Sequence, residues 1–367
     1  MGVHSVLVKE NTPGRAPLGA AWLVAALLAS GAALAAVALV DLALPAPRGR
    51  HALPPDQFRG ELAYDHLLNL TAIGARVSGS YEKEVLAVGV IVSALKEIAR
   101  GAAPHHRLEV DVPVADGAFA ISFLDGMNNI YRGVSSVVAR LSAAGGKPRG
   151  APLQSALLLN CHIDTVPDSP GASDDGAGCA VVMETLRALA AGGPLRHDAI
   201  FLFNGAEENI MQASHAFITQ HKWARLVRAF VNVESCGSGG REVVFQAGPE
   251  PWLLEAYAAA APRPFASSLA HDLFRSGLVP ADTDYRVLRA HGRVPGLDLA
   301  WSAGGHVYHT RLDSAARVAP AQLQHAGGNV LALAQGAYLP AVSCREDIFG
   351  VQLSIGSMPC SRFEDEE

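Results

Sequence analysis

Ala156-Leu157-Leu158-Leu159-Asn160-Cys161-His162-Ile163-Asp164 is an unbroken apolar run that passes at once into groups able to bind metal or move protons. The pattern recurs. Ala199 to Phe203 leads into Asn204-Gly205-Ala206-Glu207-Glu208, Ala229 to Val233 into Glu234, and Gly296 to Ala300 into a loop holding His306 and His309. Short continuous apolar runs bounded by turn residues read as strands buried on both faces, and the stretches between them, including Gly178 to Ala191 and Met211 to Gln220, have helical period. Alternating strand and helix predicts an α/β fold, a mixed, largely parallel central sheet with helices on both faces. Ligands of such sheets bind beyond the carboxyl ends of the strands, where these polar residues stand.

Upstream, Val85, Val88, Val92, Leu95 and Ala99 recur at spacings of three and four and mark an amphipathic helix ending before Gly101 and Pro104. Alternation and β-branched residues predict extended segments at Leu108 to Val114, Ala118 to Phe123 and Val134 to Leu141. Downstream, Ala321 to Ala337 predicts a closing helix. Ala341 to Glu367 has no periodic pattern, ends in four acidic residues and reads as an irregular tail.

The N-terminal region is of another kind. Leu18 to Val40 carries no charge between Arg15 and Asp41. At ~1.5 Å per residue it reaches ~34 Å, enough for the ~30 Å hydrocarbon core, so we read residues 18–40 as one transmembrane signal anchor preceded by a cytosolic segment, 1–17. A cleaved signal peptide is the competing reading, given the small residues of Ala32 to Ala38, but the apolar run exceeds the usual ~7 to 15 residues. Lys and Arg flank both ends, so charge does not set the orientation. Four prolines in Pro45 to Pro55 mark residues 41–55 as a stiff linker, with a globular domain over residues 56–340.

Half of the 367 residues are hydrophobic and 17% are charged, which excludes a disordered chain; a net charge of -6 argues against nucleic acid as a partner. Five cysteines are too few for a disulfide scaffold, although Cys161 and Cys179 could form one bridge in an oxidising compartment or remain buried thiols. Asn69-Leu70-Thr71 is the one Asn-x-Ser/Thr sequence with no proline, a glycan acceptor if this part of the chain faces a secretory lumen.

Imidazole nitrogen and carboxylate oxygen are the usual non-thiolate ligands of zinc. Each group has a plainer reading by itself: Glu207-Glu208 could complement a helix dipole, Asp174-Asp175 could be turn chemistry, and any one of 14 histidines is ordinarily a surface or core residue. Four strand ends carrying such groups to one sheet edge weigh against coincidence.

Asn160-Cys161-His162-Ile163-Asp164, Ser169-Pro170-Gly171-Ala172-Ser173-Asp174-Asp175, Phe203-Asn204-Gly205-Ala206-Glu207-Glu208-Asn209, Val231-Asn232-Val233-Glu234 and Val307-Tyr308-His309-Thr310 together resemble the ordered motifs of the co-catalytic zinc aminopeptidases and carboxypeptidases of clan MH. Gln212 to His221 and Asp282-Thr283-Asp284 are similar to the endoplasmic reticulum metallopeptidase branch. The resemblance covers about residues 56 to 340. It implies a peptidase holding two zinc ions, anchored in the endoplasmic reticulum membrane with its domain lumenal and a peptide as substrate. His162, Asp174 and Glu234 would hold one ion and Asp174, Glu208 and His309 the other, with Asp174 bridging. Asp164 would orient the imidazole of His162, and Glu207 would be the general base. His306 is the rival to His309, which stands in the tyrosine–histidine–threonine context of the family's last ligand.

Glu234 replaces the aspartate of most of the clan, and the long multi-span region that follows the domain in this branch has no counterpart here, so the chain reads as a truncated form. Two other functions compete: a non-catalytic, membrane-anchored interaction protein on the same fold, and a glutaminyl-cyclase-like acyl transferase with one zinc. Retention of every candidate ligand and of Glu207 disfavours both.

Overall fold

The computed structural model describes residues 19–121, 126–143, 155–279 and 281–336. The segments read from sequence as residues 1–17 and 341–367, with Cys344 and Cys360, lie outside the described residues. The chain divides into two units, Met1–Ala43 and Leu44–Glu367.

In the first unit, helix α1 (Ala20–Asp41) is long and apolar enough to cross a membrane, by length and composition, and buries no residue within the structure. A helix satisfies its own backbone polar groups, so an apolar face exposed all round suits lipid better than water.

The second unit contains helices α2 (Gly60–Thr71), α3 (Val88–Gly101), α4 (Gly178–Ala191), α5 (Gln212–Gln220), α6 (Pro251–Ala260), α7 (Ser268–Arg275), α8 (Asp284–Gly292) and α9 (Pro320–Gly336). Its strands are β1 (His106–Asp111), β2 (Val114–Ile121), β3 (Met127–Ser135), β4 (Val137–Ala143), β5 (Ala156–His162), β6 (Asp198–Asn204), β7 (Val227–Ser235), β8 (Gly239–Gly248) and β9 (Gly296–Ala303). Seven strands form one sheet in the order β1-β4-β6-β5-β7-β9-β8, and β2 and β3 pair separately. The central strands β6, β5, β7 and β9 are parallel, whereas β1, β4 and β8 run antiparallel to their neighbours. This is the mixed, largely parallel sheet anticipated from the apolar runs.

Period-two geometry sends alternate residues of β5 to opposite layers. Leu157, Leu159 and Cys161 pack with residues of α2, α3, α4 and α9, while Leu158 packs with Phe217 of α5 and Leu288 of α8. Each such leucine, fully removed from water, contributes ~1.5 to 3 kcal/mol, which is why β5 carries no polar residue until its end approaches.

Where polar residues do enter the sheet they bond to one another, although Asn160 Oδ1 and Asp284 Oδ1 are buried without a hydrogen-bond partner. Asn160, Asn232, Asp298 and Gln246 stand in register across β5, β7, β9 and β8. The Asn160 amide donates to Asn232 (2.6 Å) and to Asp284 at the start of α8 (2.8 Å), and the Asn204 amide also donates to Asp284 (2.6 Å). Asn232 donates to Asp298 (2.9 Å), which further accepts from Gln246 (3.0 Å) and Thr283 (2.5 Å).

The boundaries differ from the sequence reading where a single residue interrupts a run. The segment expected over 108–114 stops at Asp111, because Pro113 has no N–H to continue the ladder and β2 starts afresh at Val114. The segment expected over 134–141 divides at Ser136 between β3 and β4. Of residues 41–55, read as a stiff linker, 44–55 belong to the second unit: Arg48 N donates to Gln324, and Arg50 pairs with Glu61 and Asp65.

Candidate metal centre

The parallel strands carry the acidic and imidazole groups to one edge. His162 is the last residue of β5, Glu234 lies near the end of β7, Glu207 and Glu208 occupy the turn after β6, and His309 lies in the loop after β9. Asp174 sits in the turn that enters α4, its backbone far from helical (φ -112°, ψ 94°). That turn is pinned by Asp313, fully buried, which accepts hydrogen bonds from Ser173 N (2.8 Å), Ser173 Oγ (2.7 Å) and Asp174 N (3.1 Å).

Asp174 points one oxygen to each side. Its Oδ1 is 3.0 Å from His162 Nε2, which is 3.3 Å from Glu234 Oε1. Its Oδ2 is 3.0 Å from His309 Nε2, which is 3.3 Å from Glu208 Oε2. His162, Asp174 and Glu234 thus form one group and Asp174, Glu208 and His309 another, the ligand atoms of each lying within 4.8 Å of one another. His306, exposed in the short turn 305–307, belongs to neither group.

The donors suit a cation. His162 Nδ1 lies 3.0 Å from the main-chain oxygen of Asp164, which can only accept, so Nδ1 carries a proton and Nε2 faces two carboxylates. A nitrogen so placed takes either a second proton or a metal ion. Burial works against the charged ring, but Glu234, Asp164 and Asp174 overcome it and hold the His162 pKa well above its ordinary value. Likewise burial opposes charging of His309, and Asp174 and Glu208 raise its pKa to about 10. Burial raises the carboxyls of Glu234, to about 7, and of Glu208, whereas Asp174 is drawn down to about 2 against its own burial by the two imidazoles. Glu234 Oε2 is buried without a hydrogen-bond partner. An N/O donor set with excess negative charge and an orphan buried oxygen fits divalent zinc.

Glu207 precedes Glu208 in the chain, feels the charge of His162 and Glu234, and belongs to neither group. Burial pushes its carboxyl well above the usual range, with Glu234, Asp284 and Glu208 adding to the effect and His162 opposing it. The Asp164 carboxylate accepts from Glu207 N (3.0 Å) and Glu208 N (3.1 Å). The His162 imidazole lies 3.0 Å from the main-chain oxygen of Asp164 and 3.7 Å from its carboxylate, which also holds the turn after β6. Cys161 and Cys179 are free, buried thiols with sulfurs 3.1 Å apart, well beyond a disulfide bond length; the Cys179 thiol donates to His162 O. Asn69 is exposed on α2.

Sequence reasoning missed Asp313 and Tyr308. Tyr308 stacks on His309 with ring centroids 3.8 Å apart. Its hydroxyl is pushed up by burial, with Asp174, Glu234, Glu207 and Glu208 adding to the rise. A tyrosine preceding a candidate ligand was the available signal.

Comparison with known proteins fits this geometry. The chain is 47% identical over 279 residues to endoplasmic reticulum metallopeptidase 1 of Mus musculus, covering 76% of this chain and 30% of that protein. The Homo sapiens protein of that name is 44% identical over 321 residues, 87% of this chain and 34% of that protein. The chain therefore spans about a third of the length of these relatives. In fold it is similar to an aminopeptidase from Aneurinibacillus sp. strain AM-1 (TM-score 0.58, 14% identity, 79% of this chain and 97% of that one) and to Porphyromonas gingivalis glutaminyl cyclase (TM-score 0.54, 18% identity, 76% and 98%). The model of peptidase family M28 matches residues 137–334, more than half of the chain and the span that holds every candidate ligand, and the chain belongs to that family.

Proposed function

We propose that the second unit is a di-zinc peptidase, tethered by α1 to the endoplasmic reticulum membrane with the domain in the lumen. The observation that carries the reading is the pair of N/O groups sharing Asp174. His162, Asp174 and Glu234 would hold one zinc; Asp174, Glu208 and His309 the other. Bound there, zinc acidifies water and polarises a carbonyl.

The chain's own groups supply the rest. Glu207, held at its backbone by Asp164, takes the proton of the attacking water and later gives it to the leaving amine. A carboxyl whose pKa burial raises grips that proton between the two steps. Tyr308 stays protonated and donates to the carbonyl oxygen of the substrate as that oxygen gains charge.

Elemental analysis of the full chain in detergent tests the reading. About two zinc ions per chain are expected, with Asp174→Asn lowering occupancy at both positions and His309→Ala emptying chiefly one. A single zinc in the fully loaded protein would sink this mechanism in favour of a one-metal acyl transferase, a fold relationship that the glutaminyl cyclases make relevant.

A further inference from the structure

Arg76 lies outside the span matched by the family model and outside both ligand groups, yet it is wholly buried, at 0% exposure. A buried guanidinium persists only where its donors are matched. Here they are met by main-chain oxygens: Nε donates to Ile163 O (2.8 Å), Nη1 to Pro170 O (2.6 Å) and Gly74 O (3.1 Å), and Nη2 to Gly171 O (3.0 Å). The Arg76 backbone joins in, its N donating to Thr165 Oγ1 (2.8 Å) and its O accepting from Thr165 N (3.2 Å).

These acceptors belong to two different segments. Ile163 and Thr165 flank Asp164 just after His162; Pro170 and Gly171 open the turn that ends at Asp174. Gly171 has φ +55°, and a Cβ there would meet Thr165 Cγ2 at 2.2 Å and Arg76 Nη2 at 3.0 Å, so the turn closes directly onto the guanidinium.

We propose that Arg76 is a positioning residue of the metal centre: its planar fork sets the spacing and orientation of the segments that carry His162 and Asp174. The inference rests on reading those two residues as zinc ligands. Arg76 touches no reacting group. It acts through Asp174, whose two oxygens serve both groups, so an error in the turn degrades both sites at once. Lysine would keep the charge, but its three donors radiate from one atom and cannot reproduce a fork that reaches both segments.

The test uses the full chain in detergent, with zinc affinity measured by chelator competition, the visible spectrum of cobalt-loaded protein, and far-UV circular dichroism. Arg76→Lys should weaken zinc binding about 10- to 100-fold and alter the cobalt spectrum while the secondary structure is kept. Thr165→Val, which removes one bond to the Arg76 backbone, should weaken binding less. Wild-type zinc affinity and cobalt spectrum in Arg76→Lys would overturn the proposal, whatever happens to its melting temperature. If Arg76→Lys does not fold, Thr165→Val decides: wild-type values there overturn the proposal equally. The metal reading fails separately, through the zinc count of the unmutated protein.

Discussion

Asp313→Asn isolates how the bridging carboxylate is held. In the structure Oδ1 accepts from Ser173 N and Ser173 Oγ, and Oδ2 accepts from Ser173 N and Asp174 N. Asparagine can keep the oxygen that serves Ser173, but its NH₂ then faces the Asp174 N–H, donor against donor, with both groups buried. An unsatisfied buried donor costs ~1 to 3 kcal/mol, and losing the charge on the remaining bonds roughly halves their strength, about 1 kcal/mol more. The expected loss is therefore about 2 to 4 kcal/mol, or ~4 to 8 °C in melting temperature for a domain of this size. Because the strain falls on Asp174, zinc should also bind about 10- to 100-fold more weakly. Thermal unfolding followed by circular dichroism, with and without zinc, together with chelator competition, measures both effects. A fall in melting temperature with wild-type zinc affinity would refute the claim that Asp313 works through Asp174; no change in either would refute the hydrogen-bond argument itself.

Glu207→Gln should lower peptide turnover by ~10²- to 10⁴-fold with zinc content unchanged, whereas Glu208→Gln should lower zinc content; the reverse pattern exchanges their roles. The share of the metal-stripped protein's stability that comes from Glu234 and His309 should fall as pH rises, while His66 and His215, lowered by burial to about 4, act in the opposite sense between 4 and 6.5. Glu234, raised to about 7, keeps a proton that the unfolded chain releases near 4.5, so its contribution is complete below about 4.5 and lost as pH rises through 7, and the stabilisation from charged His309 is complete below about 6.5 and lost as pH rises through 10. Zinc should accordingly raise the melting temperature more at pH 8 than at pH 5; a flat or opposite trend, read by scanning calorimetry, contradicts the electrostatics. Finally, endoglycosidase should shift the mobility of protein made in secretory cells, and Asn69→Gln should abolish the shift; no shift in the unmutated protein removes the sequence support for a lumenal domain.

The parallel strands and the groups at their ends were legible because two-sided burial writes itself as an unbroken apolar run, and the first polar residues after it stand out, as His162 and Glu234 do. Arg76, Asp313 and Tyr308 were not legible by that logic. Each sits in irregular chain without periodicity, and its role depends on which distant main-chain atoms or rings fold against it. Strand β8 was missed because Gly239-Gly240-Arg241-Glu242 opens it with no alternation, and its Glu242 is buried against His325 and Asn329 of α9. Asp284 reads as an ordinary helix-start acid, while the structure spends its carboxylate on Asn160 and Asn204 instead.

The hydrogen-bonded amides and carboxylates that cross the sheet from Asn204 to Gln246 also constrain how the chain can vary. A slip of one residue in β5, β7 or β9 would turn Asn160, Asn232 or Asp298 toward the opposite layer, among leucines and valines, and leave its former partner unmatched. Purely apolar strands would tolerate such a slip far better. The row therefore works as a registration mark that fixes the alignment of the strands, and with it the height at which their terminal groups emerge at one edge. It also ties the fates of these positions together: replacing Asn232 alone by leucine leaves one amide N–H of Asn160 and Oδ1 of Asp298 unmatched, so substitutions along the row should be tolerated as concerted sets and rejected one at a time.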